Sequence, residues 1–85
     1  MKKFEDLVMQ PHAIGNGTMS RMHFDNGYGV SVVQFDGSYG SEDGLFELAV
    51  LKGEILCYDT DITDDVIGWL SPSEVSDIME KVQLL

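Results

Sequence analysis

The chain has 85 residues, with 15 acidic against 5 basic side chains and a formal net charge of −10. That length allows one domain, residues 1–85, whose single core removes only about 60–65% of the unfolded surface from water. The charge argues against sequence-independent binding to nucleic acid or anionic lipid, since both repel an acidic surface.

Apolar residues form 44% of the chain, enough for a packed core despite the charge. Cys57 is the only cysteine, so no internal disulfide is available and a reducing compartment is expected. Glu5 and Asp6 follow Lys2 and Lys3, with no signal-peptide-like apolar run behind them. No apolar stretch approaches the roughly 20 residues of a membrane span. Three readings of the acidity follow: a solvated surface, a decoy that occupies a nucleic-acid site, or a divalent-cation site.

Taken in order, Phe4 to Val8 fits either a helical face or an edge strand, and Pro11 ends it. A short strand or extended arm is expected there, followed by a glycine-rich connection from Ala13 to Thr18. Met19 to Phe35 carries the clearest signal. Two apolar, β-prone runs flank Asp25-Asn26-Gly27. A two-residue loop would split their apolar side chains between two faces. A three-residue loop pairs Phe24 with Tyr28, Met22 with Val30 and Ser20 with Val32, with Gly27 left-handed in a bulge. That loop is the expectation.

Residues 36–44 (DGSYGSEDG) read as a mobile surface loop with Tyr39 at its centre. Tyr39, Glu42 and Asp43 are candidate contact residues, because loops carry function more often than core elements do. Leu45 to Leu51 is the third strand, with Phe46, Leu48 and Val50 on one face. Lys52-Gly53 turns into a fourth strand, Ile55 to Tyr58, expected to oppose Val50 with Ile55 and Leu48 with Cys57. Cys57 then faces the core as a small hydrophobe.

Thr63 is expected to cap a short helical turn that opens with Asp64 and Asp65 and ends at Gly68. Trp69 is expected to seal one end of the core. Ser71-Pro72-Ser73-Glu74 is a capping box with proline at the first helical position. Val75, Ile78, Met79 and Val82 then form one apolar stripe, which Leu85 extends if the last turn holds. Together these elements predict a two-layer α+β domain: an antiparallel four-stranded sheet packed by a C-terminal amphipathic helix.

Asp59-Thr60-Asp61-Ile62-Thr63 matches the D-x-D-x-T motif of haloacid-dehalogenase-type phosphatases over five residues. About 20 residues after it cannot supply the doubly wound sheet such enzymes need, so catalysis is not expected there. An EF-hand loop counted from Asp59 would need glycine at its sixth position and glutamate at its twelfth, where Asp64 and Leu70 stand. His12 and His23 lack partners at zinc spacing. Gly27-Tyr28-Gly29 belongs to a hairpin rather than a phosphate loop. The acids Asp59, Asp61, Asp64 and Asp65 remain candidate binding residues, with a metal-dependent hydrolase as the alternative that would use them. No cofactor and no metal are called for.

The runs Phe24 to Val32 (FDNGYGVSV), Ser38 to Gly40, Leu48 to Leu51, Tyr58 to Thr60 and Ile62 to Val66 resemble small proteins encoded by tailed bacteriophages and prophages. No activity is attached to that family. The resemblance implies an accessory protein of the bacterial cytoplasm, and by analogy one that binds a host or phage protein. An acidic nucleic-acid mimic is the narrower alternative. It requires the acids of 42–43, 59–65 and 74–80 to share one face. A sheet with open edges also makes a symmetric dimer an expectation.

Overall fold

The computed structural model describes residues 1–11, 16–63 and 65–85. Its strands are β1 (Gln10–Pro11), β2 (Gly17–His23), β3 (Tyr28–Phe35), β4 (Phe46–Lys52), β5 (Ile55–Leu56) and β6 (Ile67–Leu70). An α-helix, α1 (Pro72–Gln83), follows the last strand. All strand pairs are antiparallel, in the order β1-β2-β3-β4-β5, and β6 shares the outer edge of β4 with β5. The class is the two-layer α+β arrangement expected. Among the described residues the sheet has six strands, however, where four were expected. Among the described residues no helix is long and apolar enough to cross a membrane.

The first hairpin follows from side-chain parity. Ser20 lies opposite Val32 and Met22 opposite Val30, the register of a three-residue loop. Phe24 N–H donates to the Tyr28 carbonyl at 2.7 Å, and Gly27 takes φ 87°, which a β-carbon would penalise. Met22, Phe24, Tyr28, Val30 and Val32 therefore lie on the core side. Phe46, Leu48 and Val50 of β4 join them.

Against this face packs α1. Ser71 accepts from Glu74 N–H at 3.2 Å while the Glu74 carboxylate accepts from Ser71 N–H at 3.0 Å. The helix thus starts where two otherwise unpaired donors are satisfied. Val75, Met79 and Val82 are fully buried, and Ile78 packs at the margin. Each such side chain contributes about 1.5–3 kcal/mol of burial, which is why the stripe rather than helix propensity places α1. Leu85 falls beyond the helix end and stays exposed, so it does not extend the stripe.

Three local expectations are corrected. At the N-terminus, Phe4–Asp6 is a 3-10 turn, and only Gln10–Pro11 is strand. Phe4 leaves the sheet plane because its ring packs edge-on against Phe46 at 5.0 Å, and its N–H donates to Ser76 Oγ. The connection from Ala13 to Thr18 lies partly outside the described residues, while Gly17 and Thr18 already belong to β2.

At the second hairpin, Gly53 takes φ 62° in a Gly53-Glu54 turn, which sets Lys52 opposite Ile55 and Leu51 opposite Leu56. Cys57 is therefore opposite Val50, to whose carbonyl its N–H donates at 2.8 Å, and not opposite Leu48. Cys57 is buried as expected, whereas Ile55 is 74% exposed. The strand stops after two residues.

The segment expected as a helical turn ending at Gly68 contains β6 instead, because the outer edge of β4 is open there and offers its backbone groups. Asp64 lies outside the described residues. Thr63 Oγ1 accepts from Asp65 N–H and donates to the Asp65 carbonyl, a local turn in place of a cap.

Residues 36–44 carry defined local structure. Ser38 is buried and its hydroxyl bonds both the N–H and the carbonyl of Phe35. Ser41–Asp43 forms a 3-10 turn.

Candidate functional site

The pairing of β4 with β6 contains one irregularity. Phe46 lies opposite Leu70 and Leu48 opposite Ile67, so two steps along β4 match three along β6. The extra residue is a β-bulge. Without it, strict alternation would turn Ile67 and Leu70 to opposite faces. With it, both reach the core, Leu70 buried and Ile67 at its margin. The residue thrown outward is Trp69. It sits at φ 54°, the only non-glycine at positive φ among the described residues. Such a conformation costs an aromatic residue about 1–3 kcal/mol and persists only where surrounding packing enforces it.

What enforces it is the 36–44 loop. Trp69 N–H donates to the Tyr39 carbonyl at 3.2 Å. Tyr39 N–H donates to Glu47 Oε2 at 3.0 Å. Gly68 passes so close that a β-carbon there would stand 2.3 Å from Tyr39 Cβ. The Tyr39 and Trp69 rings consequently stack, centroids 5.1 Å apart and planes 20° from parallel. Despite the stack, Tyr39 remains 53% and Trp69 58% exposed. Trp69 therefore does not seal the core. It builds a surface platform.

Beside the rings lies a concavity of about 240 Å³ lined by Gly37–Asp43 and Trp69. Glu42 and Asp43 stand on its rim, both exposed, and none of its lining residues is basic. The structure thus brings Tyr39, Glu42 and Asp43 together and adds Trp69 and Glu47, which sequence reasoning missed as site residues. One signal was present. Ile67 and Leu70 enclose Gly-Trp at a spacing no regular strand can bury on one side, which points to a bulge with an outward tryptophan.

Asp59, Asp61 and Asp65 lie in the β5–β6 connection, away from this concavity. Asp59 accepts from Cys57 Sγ at 2.9 Å, and that bond holds its carboxyl below the usual aspartate range. Asp65 Oδ1 accepts from Val66 N–H at 2.7 Å. Among the described residues no three His, Cys, Asp or Glu side chains gather as a metal-binding group. Asp59 lines a second, shallow concavity with Lys52 and Ile55 to Tyr58. It shares no residue with the first.

Fold and site together define a small α+β domain that stacks a tyrosine of the 36–44 loop on a tryptophan of a bulged edge strand. Comparison with protein-family models, with curated proteins and with solved structures finds no match.

Proposed function

We propose that this chain is a non-enzymatic accessory protein that acts by binding a protein partner through the surface around Tyr39 and Trp69. The observation that carries this reading is the ring stack itself. Two large aromatics are each more than half exposed, on backbone that is strained at one of them. Tyrosine and tryptophan dominate interface hot spots, because they bury much area at low entropy cost. A rigid pair fixed by a bulge loses little further freedom on binding. The acidic rim turns away nucleic acid and favours a partner of opposite charge. In the setting that the family resemblance implies, the partner is a host or phage protein in the bacterial cytoplasm.

The test is affinity capture from bacterial lysate with the wild-type chain and with Tyr39→Ala in parallel, followed by reconstitution of any captured complex from pure components. A stoichiometric partner retained by the wild type and released by Tyr39→Ala is the expected result. A partner indifferent to Tyr39, or none across several hosts, overturns the reading. Solution mass of the free chain decides in the same experiment whether one copy or a symmetric pair does the binding.

A further inference from the structure

We infer that the Tyr39–Trp69 platform receives an arginine side chain from an exposed basic segment of the partner. The inference rests on the proposed binding surface and names what that surface recognises. Three features of the concavity converge on a planar cation. Tyr39 and Trp69 both line it, their rings are stacked on each other and each is more than half exposed, and the outer face of an aromatic ring attracts a cation centred over it. Its rim carries the carboxylates of Glu42 and Asp43, which lie on the 3-10 turn beside Tyr39. Its lining contributes no positive charge of its own.

Among the described residues the cation over a ring is elsewhere, Lys52 above Tyr28 at 5.8 Å, so it does not fill this place. Glu47 is engaged by Tyr39 N–H, which leaves Glu42 and Asp43 as the exposed carboxylates among the lining residues. Guanidinium fits the combination better than ammonium. It is flat enough to lie along a ring, weakly hydrated, and donates two parallel hydrogen bonds to a carboxylate. The net charge of −10 supplies attraction at long range but no discrimination between arginine and lysine. The rings and the fork geometry supply that.

Trp69 is the only tryptophan, so its emission reports this site alone. The full chain is titrated with the peptide acetyl-Gly-Arg-Gly-Arg-Gly-amide at about 0.15 M salt. Parallel titrations use the lysine and the uncharged citrulline versions. The expected result is a saturable change with the arginine peptide, and affinity weaker by about fivefold or more for both other peptides. Tyr39→Leu and the double variant Glu42→Gln/Asp43→Asn lose about as much, with far-UV circular dichroism unchanged. The double variant alters only exposed carboxylates, so it decides the matter if Tyr39→Leu misfolds. No saturation by about 1 mM overturns the inference, as does equal binding of lysine, or binding that survives both variants. If lysate capture yields a Tyr39-dependent partner while these titrations stay silent, the arginine assignment alone fails. If capture also yields nothing, the binding surface fails with it.

Discussion

The side-chain amide of Asn26 donates to the Val82 carbonyl at 3.0 Å, joining the tip of the first hairpin to the last turn of α1. The same amide lies 3.3 Å from the Gln83 carbonyl and 3.4 Å from that of Leu85, while Asn26 Oδ1 accepts from Tyr28 N–H. One turn residue therefore fixes the hairpin loop and adds a donor to the carbonyls at the helix end, where Val82 also accepts from Leu85 N–H. The N-terminal arm closes the same corner, with Gln83 bonding both the N–H and the carbonyl of Lys2.

Asn26→Ala should cost about 0.5–1.5 kcal/mol, the net worth of a hydrogen bond, because the Val82 carbonyl keeps the Leu85 N–H as a donor. Asn26→Asp should cost more at neutral pH, since a carboxylate then faces carbonyl oxygens. That excess should shrink as the pH falls through the range where the new carboxyl protonates. Urea unfolding of the three proteins at neutral and acidic pH measures both effects.

At position 69 the usual order of substitutions should invert. Glycine in a strand ordinarily costs about 0.5–1 kcal/mol against alanine. Trp69 sits at φ 54°, where a β-carbon is strained. Trp69→Gly should therefore be more stable than Trp69→Ala by about 1 kcal/mol, although both lose the ring stack and with it partner binding. Thermal denaturation followed by circular dichroism gives the order. Alanine the more stable would mean that the positive φ is not a feature of the folded protein.

Gly68→Ala should disturb the platform from behind. The new β-carbon would lie 2.3 Å from Tyr39 Cβ, so the 36–44 loop must move away from β6. The expected outcome is a red-shifted, more quenchable Trp69 emission with the far-UV spectrum preserved. An unaltered emission spectrum would show that the loop does not rest on β6.

The Asp59 carboxyl is depressed by its bond from Cys57, so linkage gives a definite sign. A carboxylate whose folded pKa lies below its unfolded value stabilises fully above the unfolded value, near pH 4, and loses that contribution as the pH falls through the folded one. Asp59→Asn should differ from the wild type at neutral pH and converge with it in acid. Cys57→Ala should weaken the convergence, because it removes the largest of the interactions that lower the pKa and leaves the backbone hydrogen bond and Lys52. Parallel pH titrations of stability for the variants check this. The size of the effect is small, as Asp59 is exposed.

The parts of this fold that could be read in advance are those fixed by neighbouring residues. Parity around Asp25-Asn26-Gly27 dictates the register of β2 and β3, because only one loop length puts Met22, Phe24, Tyr28, Val30 and Val32 on the same side. Ser71-Pro72-Ser73-Glu74 dictates where α1 begins, and the spacing of Val75, Met79 and Val82 dictates which side it buries. Tyr39, Glu42 and Asp43 drew attention for local reasons too, as an aromatic and two acids in a glycine-rich loop. What only the tertiary structure decided is β6 and everything that depends on it. Ile67-Gly68-Trp69-Leu70 has neither the length nor the alternation to be a strand by itself. It becomes one because β4 exposes an unpaired edge, and it bulges because both Ile67 and Leu70 must reach the core. That bulge turns Trp69 outward onto Tyr39, a residue distant in the chain. Local preference cannot encode a meeting between segments that share no hydrogen bond until the sheet has formed.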